Sequence, residues 1–398
     1  MTTAEPPTQP SCAAQLVIPA AVPRPRSWLA TLSCGVALLA TQALAASAPQ
    51  PIAVRWILPS EGLLAGLGDG LRRGYGQAMA EAMACGFHPP ALQLGWLEPQ
   101  DDPLVALQQA PRSELLVAPP AAALAAYGRL AEQRRLTVLL PLQRGSSLAA
   151  LPQLPGSDQL WPIVPARALE ADRLAQGLLA QERRRVMVVR DGSAEALALS
   201  RRFQAGFSNG RGTLIGPVDG VITVADDDNG AMAQLIRDVD WYRPDALVII
   251  TGGDGPLAHS LRRAAWPEGL LLAWVAPLVA PRPQPQLGVD PLSRGPGWAG
   301  FATRFAQRWG YRPGLVESAG YDTGLIAMLA SLRVQGRPGW DLHWFNARAQ
   351  PLPFCTALQQ RRLGLAVRPQ AASSRFDLAP GISPGADLRL QRLAASPP

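Results

Sequence analysis

The sequence contains no lysine and little cysteine or histidine, and each shortage excludes a class of chemistry. All 37 basic residues are arginine, which excludes Schiff-base catalysis and a lysine-containing phosphate loop. The 4 cysteines and 3 histidines have no spacing suited to a metal, so we expect neither a metal nor a cofactor. What is present, 48% hydrophobic residues in a chain of 398, is enough for a substantial core and more than one domain.

The net charge of +7 is dispersed over the chain. Arginines occur in short clusters such as Arg72-Arg73 and Arg183 to Arg185, which suit the solvent faces of helices. A nucleic-acid surface would need a basic stripe with interleaved aromatic residues, and the sequence has none. We therefore expect no nucleic-acid partner.

The first 48 residues have the order of a secretory signal peptide. Arg24 and Arg26 precede an apolar run from Trp28 to Leu44, and two A-x-A patterns follow at 43–45 and 46–48. We predict export to the periplasm with cleavage of this segment. The alternative is an uncleaved membrane anchor, because the run is close to the length that spans a bilayer.

Cleavage would leave two of the four cysteines, Cys85 and Cys355. One disulfide between them is possible, but they lie far apart in sequence and nothing in the sequence shows that they meet. We favour two separate buried thiols.

Short apolar strands alternate with helical patterns through the rest of the chain. One set of strands comprises 52–58, 91–97, 114–118 and 136–140, and a second set begins near 160 with strands at 185–189, 246–250 and 270–275. Alternation of this kind predicts parallel sheets covered by helices on both faces. The fold class is α/β, with two doubly wound lobes. The proline-rich segment 280–291 interrupts the alternation and is predicted to connect lobes.

The stretch after the first strand, Gly66-Leu67-Gly68-Asp69-Gly70-Leu71, is interpreted as a glycine-rich loop leading into a helix. It lacks the third glycine of a dinucleotide fingerprint and the G-K-[ST] of a phosphate loop. Asp69 would also repel a phosphate. A helix N-terminus at this place still suits a carboxylate or another polar ligand.

The opening Ile52 to Gly74 resembles that of type I periplasmic solute-binding proteins, the leucine/isoleucine/valine-binding components of ABC importers. The resemblance continues in order through four further elements: Leu115 to Pro119, Arg184 to Val189, Arg243 to Ile249, and Trp309 to Pro313 with Tyr321 to Gly324. It implies two lobes joined by crossover segments, with a ligand enclosed between them by a hinge motion. The expected division is lobe one at 49–160, lobe two at 161–280, a return to lobe one at 281–340, and a C-terminal segment 341–398 packed on lobe two.

The resemblance also implies ligand-facing positions in five loops. In the first lobe these are Ser60 and Glu61, then 119–122, and then the segment 143–147 with Gln143, Arg144, Ser146 and Ser147. In the second lobe they are Asp191 with Gly192, and 251–254 with Thr251 and Asp254. The loop Pro119-Pro120-Ala121-Ala122 departs from an amino-acid site, because it has no hydroxyl and two of its residues have no N–H. Arg144 with the serines suits an anionic group, and the aspartates suit a cationic group.

Three hypotheses for function follow. The first is a monomeric, non-enzymatic binding protein that delivers a small polar solute, such as an amino acid or an amide, to a membrane ABC permease. The second is a protein with a degenerate pocket that acts through periplasmic protein partners, similar to the activators of cell-wall synthases that share this fold. The third is an α/β enzyme, which we place last because no nucleophile elbow, metal spacing or phosphate loop is present.

Overall fold

Strands and helices alternate along the part of the chain that the computed structural model describes, residues 52–98, 101–108, 113–225, 229–278 and 283–394. The strands and helices have the following bounds: β1 Ile52–Leu58, α1 Gly62–Ala84, β2 Leu92–Trp96, α2 Pro103–Ala106, β3 Ser113–Val117, α3 Leu124–Arg134, β4 Thr137–Leu140, β5 Leu160–Pro162, α4 Ala168–Leu179, β6 Arg185–Arg190, α5 Ala194–Asn209, β7 Thr213–Leu214, β8 Val221–Thr223, α6 Asn229–Tyr242, β9 Ala246–Ile250, α7 Pro256–Arg263, β10 Leu271–Trp274, β11 Gln286–Asp290, α8 Trp298–Trp309, α9 Leu315–Ser331, β12 Arg333–Val334, β13 Arg337–Pro338, α10 Phe354–Arg362 and β14 Arg389–Leu393. Short 3₁₀ helices lie at 146–153, 157–159 and 218–220. The predicted signal segment falls outside the described residues. In the described part of the chain, every helix is too short or too polar to cross a membrane.

The first sheet has five parallel strands in the order β2-β1-β3-β4-β5. Side chains of β1 alternate between its two faces, as a strand requires. Val54, Trp56 and Leu58 pack in one cluster with Leu71 and other residues of the helices on that side. Ile57 packs in a second cluster on the opposite face, together with residues of α3. This sheet is therefore buried between two helical layers.

The second sheet has the order β14-β11-β10-β9-β6-β7, and β8 also pairs with β6. All pairings are parallel except that of β11 with the C-terminal β14. The predicted fold class, two doubly wound parallel sheets with helices on their faces, is confirmed. The antiparallel edge strand was not predicted, because 389–393 has no regular pattern of apolar residues.

The segment 280–291, predicted to connect lobes, contains a strand that its sequence did not indicate. Residues 286–290 of that segment form β11, which pairs with β10 inside the second sheet. The chain then passes to α8 and α9, whose apolar residues belong to the same core cluster as those of β1. The prolines of this segment stand before the strand, at 281, 283 and 285, or directly after it, at 291, and so they do not interrupt its hydrogen bonds. The wider division of the chain into lobe segments stays a prediction.

The glycines predicted to form a loop lie inside helix α1, which begins at Gly62. One of them, Gly70, lies against α9, and so does Gly74 one turn further along α1. A Cβ at Gly74 would overlap the Glu317 carbonyl oxygen, and one at Gly70 would lie 2.9 Å from Val316 Cγ1. On the other side of this contact, Gly320 of α9 lies close to the backbone of Leu71. Gly70 and Gly74 therefore allow α9 to pack closely on α1, since only residues without a side chain permit such an approach. They do not form a ligand-binding loop.

Helix α9 is buried continuously from Ser318 to Ala330. Its one buried carboxylate, Asp322, accepts hydrogen bonds from the backbone N–H groups of Ala372 (2.7 Å) and Ser373 (2.8 Å) and from the Ser373 hydroxyl (2.5 Å). The side chain thus attaches the C-terminal segment to the centre of the first lobe.

Cys85 and Cys355 form a disulfide, so the expectation of two separate thiols is wrong. Their Cα atoms lie 5.5 Å apart although the residues are separated by 270 positions. Cys85 directly follows α1, at its C-cap, and Cys355 lies in the first turn of α10. These two helices pack on each other, and this long-range contact could not be read from the sequence.

Candidate functional site

A cleft of about 570 Å³ opens at the carboxyl ends of β6, β8 and β9 in the second sheet. The strands end there because their apolar runs give way to turn-forming residues, Asp191-Gly192-Ser193 after β6 and Thr251-Gly252-Gly253 after β9. The carboxyl ends of parallel strands are the usual position of ligand sites in sheets of this kind. The cleft is therefore our candidate functional site.

Asp191 is the acidic group that follows β6. Its carboxylate accepts the backbone N–H of Ser193 at 2.9 Å and that of Gly252 at 3.4 Å. Burial acts to raise the pKa of Asp191, but hydrogen bonds from Ser193 and Thr251, with the Gly252 N–H, outweigh it and lower that pKa. Asp191 is thus an ionised carboxylate on the cleft at neutral pH. Thr251 beside it is buried.

Arg167 and Glu195 supply the other charges that line the cleft. Arg167 immediately precedes α4, in the segment that leaves the first sheet, and Glu195 lies in the first turn of α5. Arg167 Nη1 is 3.5 Å from Glu195 Oε1. Glu195 Oε2 accepts the backbone N–H of Ser146, the first residue of the 3₁₀ helix that follows β4, at 2.6 Å. The lining therefore presents one cation and two carboxylates.

Ser60 and Glu61, the first predicted ligand loop, are both exposed. The backbone N–H of Ser60 donates to Glu98 Oε1 at 2.9 Å, and its hydroxyl donates to the same oxygen. The Ser60 hydroxyl and then its N–H lower the pKa of Glu98. Glu61 stands at the N-cap of α1 without capping it. Neither residue is among those that line the cleft described above.

The loop at 119–122 and the segment 143–147 also bond within the chain. Gln143 accepts the N–H of Ala122 at 3.1 Å and donates to the Ser147 hydroxyl at 3.2 Å. Arg144 forms a largely buried ion pair with Glu170 and donates to the Pro165 carbonyl. Ser146 is not part of the cleft lining, but its N–H donates to Glu195, which is.

The second-lobe predictions divide. The structure places Asp191, Gly192, Thr251 and Gly252 together on the cleft, whereas Asp254 is exposed and is not part of that lining. Their role toward a ligand stays a prediction. Sequence reasoning missed Ser193, Glu195 and Arg167. Following the loop at 191–192 into the first turn of α5 would have found the first two, but no sequence signal points to Arg167.

Among the described residues, no group of three or more His, Cys, Asp or Glu side chains could hold a metal ion. The cleft offers carboxylates, a guanidinium, hydroxyls and small apolar side chains such as Ala196 and Leu199. Such a lining can bind a small molecule with both polar and apolar parts.

No protein-family model matches the chain, and no curated protein matches it. Solved structures do. A solute-binding protein of an ABC transporter from R. palustris, in complex with benzoate, has 16% identity and a TM-score of 0.56 over 86% of this chain and 93% of that one. An ABC transporter substrate-binding protein from Desulfitobacterium hafniense, in complex with Leu, has 15% identity and a TM-score of 0.57 over 86% and 96%. A branched-chain amino acid transporter substrate-binding protein from Streptococcus pneumoniae, in complex with isoleucine, has 14% identity and a TM-score of 0.51 over 78% and 88%.

These likenesses extend over most of both chains. The chain therefore has the fold of type I solute-binding proteins, and the predicted resemblance is confirmed at the level of the fold.

Proposed function

We propose that this protein is an exported solute-binding protein that captures a small polar solute in the cleft. The observation that carries the proposal is the meeting of Asp191, Thr251 and Arg167 at the carboxyl ends of β6, β8 and β9. The similar structures from R. palustris and D. hafniense, which hold benzoate and Leu, support a solute of this size. Its partner would be a membrane ABC permease, and the protein would act as a periplasmic monomer without catalysing a reaction.

The charges of the cleft favour a zwitterion, such as an amino acid, or an uncharged amide. Asp191 is ionised and accepts hydrogen bonds, so it suits a ligand ammonium or N–H group. Arg167 suits a carboxylate, because a guanidinium can donate two parallel hydrogen bonds to its oxygens. Leu199 and Ala196 leave room for a modest apolar side chain.

The second candidate, a protein that acts through protein partners, has support from the first lobe. Ser60, the Ala122 N–H, Gln143 and Arg144 all form hydrogen bonds within the chain. A ligand would have to replace these bonds to gain contacts there, which costs free energy. If only the second lobe has groups free to bind a ligand, the importer hypothesis is weakened.

Isothermal titration with amino acids, amides and aromatic acids tests the proposal. One class should bind the wild-type protein, and Asp191→Asn should weaken that binding by about tenfold or more, because a charged hydrogen bond is lost. Asp240→Asn is the matched control, since Asp240 is an exposed carboxylate on α6 of the same lobe. Equal affinity in the two variants would remove Asp191 from the site. Absence of any binding would favour the protein-partner hypothesis.

A further inference from the structure

Glu195 belongs to the second lobe, but groups outside its own helix hold its carboxylate. Oε2 accepts the Ser146 N–H at 2.6 Å, from a residue 49 positions earlier in the chain. Oε1 lies 3.5 Å from Arg167 Nη1. A backbone N–H and a guanidinium directed at one carboxylate form an anion site, and Glu195 occupies it.

The first-lobe loop is shaped to admit this carboxylate. Gly145 precedes the 3₁₀ helix 146–153 and has no side chain with which to cap it. A Cβ at Gly145 would lie only 3.3 Å from Glu195 Oε2. The first N–H of the 3₁₀ helix is therefore capped by a side chain of the other lobe.

The attachment is incomplete on its second oxygen. Glu195 Oε1 is buried and has no hydrogen-bond partner, because the distance to Arg167 is that of a loose ion pair. The two side chains of that pair are still 28% and 27% exposed, although Oε1 itself is buried. By contrast, Arg202 donates two hydrogen bonds of 2.7 Å to the two carboxylate oxygens of Asp172. A loosely held carboxylate facing the cleft is the easier of the two to replace.

We propose that Glu195 is an internal competitor for the carboxylate of the ligand. In the ligand-free protein it occupies the Ser146 N–H and the Arg167 guanidinium. A ligand carboxylate takes these two donors, and Glu195 turns toward solvent. The inference rests on the proposed function in assigning the ligand to this cleft, and it specifies a monocarboxylate as the ligand class. Apparent affinity is then reduced by the fraction of molecules in which Glu195 fills the site.

Acetate is the probe, because it supplies a carboxylate and little else. Thermal unfolding is followed for the wild type, Glu195→Ala and Glu195→Gln, in sodium acetate and in sodium chloride at the same ionic strength. Acetate should bind Glu195→Ala about tenfold more tightly than the wild type. Glu195→Gln keeps an acceptor for the Ser146 N–H but loses the ion pair, so its affinity should lie between the two. It also provides a testable variant if the alanine protein folds poorly.

Two controls separate this site from general anion binding. Asp172→Ala frees Arg202 outside the cleft and should gain no comparable acetate affinity. Adding Arg167→Gln to Glu195→Ala should abolish the gain. Acetate affinity equal to that of the wild type in both Glu195 variants overturns the proposal, and so does a ligand that binds these variants more weakly than the wild type. The acetate experiment needs no natural ligand, so a failed solute screen would reject the proposed function and leave this test standing.

Discussion

At the scale of single residues, Asp191 and Asp254 show where the sequence prediction for the second-lobe loops agrees with the structure and where it does not. Both residues follow buried parallel strands, and both are predicted from the sequence to face the ligand. Only Asp191 turns back to accept N–H groups at 2.9 and 3.4 Å and so lines the cleft. Sequence identifies the strand ends, since these follow from apolar runs, but the direction of a loop side chain depends on hydrogen bonds that no pattern encodes.

Replacing Asp254 by asparagine should leave ligand affinity within about twofold of the wild type, because an exposed charge contributes little. Ser60→Ala should behave likewise, since its hydroxyl is used by Glu98. Titration calorimetry with the ligand bound by the wild type measures both. A tenfold loss in either variant would mean that the first-lobe or outer loops close onto the ligand.

Asp322 predicts a pH dependence of stability. Burial raises the pKa of its carboxyl group to about 7, although hydrogen bonds from Ala372 and Ser373 act to lower it. Asp322 in the folded protein therefore keeps a proton that it loses in the unfolded chain near pH 3.9, which is about the ordinary pKa of an aspartate. The stability that Asp322 contributes is complete at low pH and is lost as the pH rises from about 4 to about 7, by up to about 4 kcal/mol.

Denaturant unfolding of the wild type and Asp322→Asn from pH 4 to 8 isolates this effect, because asparagine does not titrate. The free energy of unfolding of the wild type should fall relative to that of the variant over the interval, and then stay level. A constant difference between the two proteins would show that Asp322 ionises normally in the fold.

At the scale of elements, the close contact between α1 and α9 fixes how these two helices of the first lobe pack together. Strand and helix positions follow from apolar periodicity, and β1, β6 and β9 lie where the sequence predicts them. The glycine-rich stretch at 66–71 was interpreted as a loop although it lies in α1, because glycine breaks helices more often than it builds them. Its true role requires the partner helix, 240 or more residues further along the chain, which local patterns do not identify.

Gly74→Ala should destabilise the protein by about 3 kcal/mol, since the added methyl group overlaps the backbone of α9 and the helices must separate. Gly66→Ala is the matched control on the same helix. A Cβ there meets nothing within 4 Å, so the variant should gain up to about 1 kcal/mol from helix propensity. Equilibrium unfolding in urea measures both, and equal effects would contradict the close packing.

At the scale of the whole molecule, the disulfide joins the end of α1 to α10 across most of the chain. Replacing both Cys85 and Cys355 by serine should lower the free energy of unfolding by about 2 to 4 kcal/mol, because the unfolded chain gains freedom. Ligand affinity should be unchanged, since the disulfide does not line the cleft. Urea unfolding and calorimetry on the same sample check this, and an unaltered unfolding midpoint would contradict it.

The two-sheet architecture was predictable because buried parallel strands are continuous apolar runs that alternate with helices. Features that join distant segments were not: the disulfide, the antiparallel β14 and the attachment of Glu195 to Ser146. Each depends on a meeting of residues that are separated by 49 positions or more. The position of the cleft follows from the architecture, whereas the ligand that the cleft binds depends on contacts between distant segments.

The central claim is that the cleft binds a small solute, and thermal unfolding of the protein against a panel of amino acids, amides and aromatic acids tests it most directly. A solute at a hundredfold excess over its Kd should stabilise the fold by about 2.7 kcal/mol, with one chemical class shifting the transition and Asp191→Asn abolishing most of that shift. Cooperative unfolding at the same temperature with every member of the panel would contradict the claim.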